Sequence, residues 1–373
     1  MPKKKKQHYV PKALLKRFSV DKKCYVYNLK TNEVSNNPFP YDNQCYTDYM
    51  YGKDLSIENQ LGIIESDFAR VLDSVVLNNQ LPADREKLKI LSQYIILQWL
   101  RTEKSIDRFQ SSAKRAIQSI MPDVLSYHKA KSNDYAVEKF GEEYVRTHFP
   151  RQEIAINNIE VAQSEDLDVS DLTLCILNNA TNLGLVVSDD LVVIGNDYQP
   201  VYGLGAKCAG VYFFMPISPK LMLLLYDDKM YKKEKNELTL AEVRFLNALQ
   251  FNNSRNIILS KDRNSLEKLK KEYDDLVFNN VFKFFQFIGW KDPFRINYEI
   301  PHFINTYVKE YSYLRMNLPV GINNVIKINN VFTPYQGKPE MFFTRCNRDE
   351  YFLKTQYWGA DFSKLVYDIY LSK

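Results

Sequence analysis

An α+β fold is what this chain of 373 residues predicts, and three observations predict it. Apolar residues recur with helical period from Leu55 towards Ile120. Short apolar runs from Leu183 to Tyr226 alternate with Gly, Asp-Asp and Pro signals, and Cys24 to Ser35 reads as a hairpin. The expected order is an N-terminal extended segment and hairpin, a long helical layer, a small antiparallel sheet and an aromatic-rich C-terminal lobe.

Each element has its local reason. Residues 7 to 20 form an extended entry and then a short amphipathic segment, with Leu14, Leu15 and Phe18 behind Pro11. Cys24 to Leu29 alternates aromatic and polar residues, Lys30-Thr31-Asn32 turns, and Glu33 to Ser35 returns. From Leu55 to Asn78, Ile57, Leu61, Ile64, Phe68, Val71 and Val75 mark one helical stripe, with Ser56 as its cap and Glu58 and Glu65 together on one flank. Pro82-Ala83-Asp84 opens a helix expected to run unbroken to about Ile120, with Leu88, Leu91, Ile95 and Trp99 inside and Tyr94, Gln98, Arg101 and Ser105 on its flank. Met121-Pro122 is read as its end, with one or two peripheral helices from Asp123 to Pro150.

Strands are expected at Leu183 to Val187, Leu191 to Ile194, Val211 to Met215 and Leu221 to Tyr226, consecutive and antiparallel. Thr239 caps a helix to about Asn253, with Glu242 completing a capping box. A strand at Asn256 to Leu259 and a charged helix from Asp262 to Tyr273 follow. Beyond Phe278 aromatic residues crowd together. The chain therefore divides into a domain over 1–278, with helices over about 54–165 and sheet and helices over about 168–278, and an aromatic lobe over 279–373.

Composition narrows the function classes. The longest apolar runs fall well short of the roughly 20 residues that span a bilayer, so no membrane helix is expected. A polar and aromatic stretch follows Lys3 to Lys6 where a signal peptide needs an apolar segment. Five scattered cysteines with no C-x-x-C pair fit a reducing cytoplasm and no cysteine-built zinc site. Of the net charge of +5, Lys3, Lys4, Lys5 and Lys6 supply four, so the folded body is nearly neutral. No Walker loop, Gly-x-Gly-x-x-Gly, His-Glu-x-x-His or Gly-x-Ser-x-Gly element is present, which leaves NTPase, dinucleotide and serine-hydrolase readings without support.

Several marks occur together: Gln7-His8-Tyr9-Val10-Pro11, then Leu15 to Phe18, then Glu58 with Glu65, then Gln98 with Arg101 and Thr102, and Met215-Pro216-Ile217-Ser218-Pro219. In order and spacing the chain resembles, over residues 7 to about 260, the bacterial family called domain of unknown function 4238. That family also carries a Ser-Asp-Asn-Pro-Val strand end, read here at Gly195 to Val201 with inserted length. The resemblance brings no established activity.

The chemistry these marks offer is specific enough to state. His8 titrates near neutrality and can serve as acid, base or ligand. Glu58 and Glu65 lie two turns apart and can share a divalent cation such as magnesium, or Glu65 can act as a base; the cofactor itself stays open. Gln98 and Arg101 suit a phosphate or carboxylate, or Arg101 forms an internal ion pair with Glu65. Asp197 stands where a strand ends, as a catalytic carboxylate or a turn cap. Two readings follow. In the first, His8, Glu65, Gln98, Arg101 and Asp197 converge in a nuclease-like effector of bacterial anti-phage defence or a toxin, Lys3 to Lys6 form a nucleic-acid-seeking arm, and the aromatic lobe stacks bases. In the second the same residues are structural, in a sensor or protein-interaction module whose partner meets the C-terminal lobe.

Overall fold

The computed structural model describes residues 5–127, 134–164, 167–196, 205–207, 211–229, 231–233, 236–273 and 332–334. Lys3, Lys4, Asp197 and the aromatic lobe other than Phe332–Pro334 lie outside them. The fold is α+β. Strand β1 (Lys6–His8) leads into the short helix α1 (Lys12–Leu15), the hairpin β2 (Lys23–Asn28) and β3 (Glu33–Val34), then β4 (Phe39–Pro40) and β5 (Tyr46–Asp48). Five helices follow: α2 (Ser56–Asn78), α3 (Arg85–Leu100), α4 (Glu103–Tyr127), α5 (Asp134–His148) and α6 (Arg151–Gln163). The sheet region holds β6 (Thr173–Asn179), β7 (Val187–Ser188), β8 (Val193–Asn196), β9 (Val211–Ser218), β10 (Leu221–Tyr226), β11 (Tyr231–Lys233) and β12 (Glu237–Leu238). Helix α7 (Leu240–Asn253), β13 (Ile257–Ser260), α8 (Arg263–Tyr273) and β14 (Phe332–Pro334) complete it.

The central sheet runs in the order β12-β6-β10-β9-β8, antiparallel except for the parallel β12–β6 pair. The central strands β9 and β10 are buried throughout because both faces are covered. Phe213, Met215, Leu223 and Leu225 join the large core shared with the helical layer, while Tyr212, Phe214, Met222 and Leu224 pack with Val243, Phe245 and Leu246 of α7. A second sheet, β3-β2-β13-β7, joins the N-terminal hairpin to strands from far along the chain and is covered by α8. Val187-Ser188 therefore belongs to a different sheet from β8, where consecutive pairing was expected.

Three helix boundaries also depart from expectation. Ser56 is the first residue of α2 rather than its cap; Leu55 takes that place at φ 65°, and the Ser56 hydroxyl turns back to Asp54 at 2.9 Å. The helix opened at Asp84, whose carboxylate accepts the Glu86 N–H at 2.9 Å, stops at Leu100 instead of running on. Thr102 is the cause: its Oγ1 accepts the Ser105 N–H at 3.2 Å and its carbonyl accepts that of Ile106 at 3.3 Å, starting α4 afresh. Helix α4 then continues through Met121-Pro122 to Tyr127. Pro122 has no N–H to donate, so one intrahelical bond is forgone in a helix that packs against α5.

Candidate functional site

The signature Gln7-His8-Tyr9 is built into the fold by its backbone. Gln7 is fully buried; its Nε2 donates to the Gly52 carbonyl at 2.9 Å and its Oε1 accepts the Tyr51 N–H at 2.6 Å. Gly52 has φ +108°, a conformation that only glycine holds without strain. From α3, Gln98 Nε2 donates to the Tyr9 carbonyl at 2.6 Å, and Arg101 Nη2 donates to the His8 carbonyl at 2.5 Å. Arg101 Nη1 reaches Glu65 Oε1 at 2.7 Å, the internal ion pair foreseen from the sequence.

His8, Glu65, Gln98 and Arg101 are thus brought together, but as a clamp on main chain. The His8 ring points elsewhere: Nε2 donates to the Asp42 carbonyl at 3.0 Å, and the ring lies 5.6 Å from that of Tyr46. A carbonyl can only accept, so the proton sits on Nε2 and Nδ1 is the remaining basic nitrogen. Burial lowers the His8 pKa below its usual value. Glu65 gives an oxygen to Arg101, and among the described residues no three His, Cys, Asp or Glu side chains form a metal-binding group. The Glu58–Glu65 cation reading is left with two carboxylates. Lys5 and Lys6, expected in a loose arm, belong to the folded edge: Lys5 pairs with Asp48 at 2.9 Å, and Lys6 donates to Asn43 Oδ1 at 2.7 Å and lies 4.5 Å over the Tyr46 ring.

A second polar cluster, which the sequence did not bring forward, lies on the other side of the α3–α4 joint. Arg101 and Thr102 are both fully buried and send their side chains to different clusters. The Thr102 hydroxyl donates to Asp190, whose other oxygen accepts from Arg108 Nη1 at 2.6 Å. Asp189 accepts three backbone N–H groups at the entry to β13, from Arg255 at 2.7 Å, Asn256 at 2.8 Å and Ile257 at 3.2 Å. Burial pushes the Asp189 pKa up to about 6 even against those three donors. The Arg255 side chain pairs with both Glu103 and Asp107, one helical turn apart on α4, and Arg151 at the start of α6 pairs with the same two carboxylates.

Lys104, also on the first turn of α4, donates to the carbonyls of Asn253 at 2.7 Å and Ser254 at 3.3 Å, closing the end of α7. Burial lowers its pKa to about 8. Thr47 donates to Glu103, and the Tyr9 phenol, its pKa raised by burial, lies in the field of Cys45, Asp189, Glu103 and Arg255. The signature's carbonyls meet Arg101 and Gln98, and its tyrosine lies in the field of the second cluster. Asp189 and Asp190 are buried, whereas Asp107, Arg255 and Arg151 are each about a third exposed or more, at 30%, 32% and 42%. The cluster reaches solvent on that side.

Two sequence signals could have located it. Asp189-Asp190 interrupts an otherwise uncharged apolar run from Leu183 to Ile194, and buried carboxylates need cations or hydrogen-bond donors. Ser188-Asp189-Asp190-Leu191-Val192 also matches the Ser-Asp-Asn-Pro-Val strand end at Ser188, Asp189 and Val192 with no inserted length, which the reading at Gly195 to Val201 needed.

The family model described as protein of unknown function (DUF4238) matches residues 6–264. No curated protein and no solved structure matches the chain. With more than half of its length matched, the chain belongs to that family.

Proposed function

From this family membership as premise, we propose that the chain is a nuclease-like phosphodiester hydrolase, an effector of bacterial defence or a toxin, whose working centre is the Glu103–Asp107–Arg151–Arg255 cluster beneath Tyr9 rather than His8. One observation carries this reading: a partly open set of carboxylates and guanidiniums is braced by two groups with displaced pKa values, the buried Asp189 at about 6 and the half-buried Lys104 at about 8. Perturbed groups gathered at a solvent-reaching cluster mark candidate sites.

The division of labour follows from exposure. Arg151 and Arg255 offer planar forks to a phosphate, and in doing so release Asp107 and Glu103 to take a proton from water or a ribose hydroxyl. Asp189 is a positioning residue, holding the main chain of Arg255. A carboxylate general base contributes roughly 10²–10⁴ in rate. Labelled RNA and DNA oligonucleotides, incubated with the purified chain with and without magnesium, test this on a sequencing gel. Cleavage is expected, reduced at least ~100-fold in Asp107→Asn and kept within a few-fold in His8→Gln. Cleavage lost in His8→Gln but retained in Asp107→Asn would return the centre to His8.

A second reading, a non-catalytic sensor or interaction module, is favoured by the direction of the Gln98 and Arg101 donors, which end on the main chain of Tyr9 and His8. In that case no polynucleotide is cut, and the same variants lower only the melting temperature.

A further inference from the structure

Beyond Asp107, α4 borders a cleft of about 450 Å³ that it shares with the second half of α5 and the start of α6. Its polar lining is Gln110, Ser111, Lys114, Glu142, Arg146 and Arg151, with Val145 and Pro150 as apolar wall. We propose that this cleft binds the phosphate backbone of a single nucleic-acid strand and leads it to the Glu103–Asp107–Arg255 cluster. The cleft's own residues offer the phosphate contacts; the identity of the phosphate bearer rests on the reading above.

The lining is rich in cations. Three cations, Lys114, Arg146 and Arg151, line the cleft with one carboxylate, Glu142, while Glu143, Glu103 and Asp107 meet Arg146 and Arg151 from outside the lining. Two of the pairs are of a kind that a phosphate displaces readily: Lys114 meets Glu142 at 2.6 Å with the glutamate 61% exposed, and Arg146 meets Glu143 at 3.9 Å with both side chains largely in solvent. The α6 terminus adds to this charge. Helix α6 has 13 residues and begins after Pro150 with no side-chain cap, and its first intrahelical bond runs from Ile154 N–H to the Pro150 carbonyl at 3.1 Å. The earlier N–H groups and the helix dipole add positive potential to the wall that Pro150 and Arg151 form.

The cleft is continuous with the centre. Arg151 lines the cleft and also bonds Asp107 and Glu103, while its Nη1 lies 3.3 Å from Gln110 Oε1. Gln110 is held in turn by its bond to the Phe149 carbonyl at 3.0 Å. One guanidinium therefore belongs to both places, so adjacent phosphates of one strand can occupy cleft and centre together. The volume suits a nucleotide-sized group, since small-ligand pockets span about 300–1,000 Å³, and Val145 with Pro150 offers apolar contact to a sugar.

Fluorescence anisotropy with labelled single-stranded RNA and DNA, on the full chain and on its Asp107→Asn form, tests the site apart from cleavage. The double variant Lys114→Gln/Arg146→Gln, whose melting temperature should match its parent, is expected to bind about tenfold more weakly. Its plot of log affinity against log salt, over roughly 50–200 mM, should flatten by about 0.7 for each phosphate that the variant no longer neutralises. An unchanged affinity and salt slope in the double variant, or no binding by the unmodified chain, would overturn the proposal. Inorganic phosphate and an acidic peptide are titrated as competitors. Either one binding through Lys114 and Arg146 while the oligonucleotides do not would refute a nucleic-acid strand as the occupant. Binding that depends on Lys114 and Arg146 without any cleavage would fail the hydrolase reading and leave the cleft assigned. Cleavage indifferent to both residues would do the reverse.

Discussion

His8 and Tyr9 are neighbours with different surroundings: the His8 ring bonds the Asp42 carbonyl, and the Tyr9 phenol lies in the field of Asp189, Glu103 and Arg255. Two pH dependences arise from this neighbourhood, with opposite signs. Asp189 has a folded-state pKa of about 6 against 3.8 for an ordinary aspartate. Between those values the folded chain holds a proton that the unfolded chain has lost, so the stability it contributes is present at low pH and falls as pH rises through the window. Relative to Asp189→Asn, the unmodified chain should lose on the order of 2–3 kcal/mol from pH 4 to pH 7, read from urea midpoints; a pH-independent difference would refute it. His8 works the other way. Its pKa is lowered by burial, so the unfolded chain takes up the proton first as pH falls below 6.5, and stability declines on the acid side. His8→Gln should remove that decline.

At the scale of elements, the α3–α4 joint carries most of the consequence. The pairing of Arg101 with Glu65 was legible because Gln98 and Arg101 stand at i and i+3 on a half-buried flank. The joint was not legible, because helical period continues across Thr102 and only its hydroxyl bond to Ser105 N–H and its contact with Asp190 interrupt it. Nor could residue spacing show that Arg101 reaches main chain carrying no sequence signal of its own. Arg101→Ala should therefore destabilise the fold by about 3–5 kcal/mol, as breaking a buried pair does, and should raise amide exchange first in β1 and β5, which are locked to α3 through the His8 and Tyr9 carbonyls. Glu65→Gln should cost less, since Glu65 is 27% exposed and its partner keeps the His8 carbonyl. Equal losses from the two variants would argue against the clamp. Thr102→Val, which keeps the volume but removes the cap and the donor to Asp190, should cost about 1–2 kcal/mol by thermal melting.

For the whole molecule, the sheets were visible in sequence only as far as local pattern reaches. The apolar runs of β9 and β10 announce a sheet, but burial on both faces erases the alternation that would have told one side from the other, and the pairing of β2 with β13 joins Asn28 to Ile257. Long-range charge was hidden for the same reason: Arg255 closes onto Glu103 and Asp107 across 152 and 148 residues of chain. Glu103, Asp107, Arg151 and Arg255 consequently tie α4, α6 and the second sheet into one unit, and two carboxylates shared between two guanidiniums should respond as a set rather than as separate pairs. A double-mutant cycle with Glu103→Gln and Arg255→Met, followed by urea unfolding, is expected to give a coupling energy of about 0.5–3 kcal/mol. Each single variant leaves a charge of the cluster without a full partner, so each should cost more than half of what the double variant costs. Coupling below roughly 0.3 kcal/mol would mean that the residues act independently, and the cluster would then be neither a structural unit nor a preorganised centre.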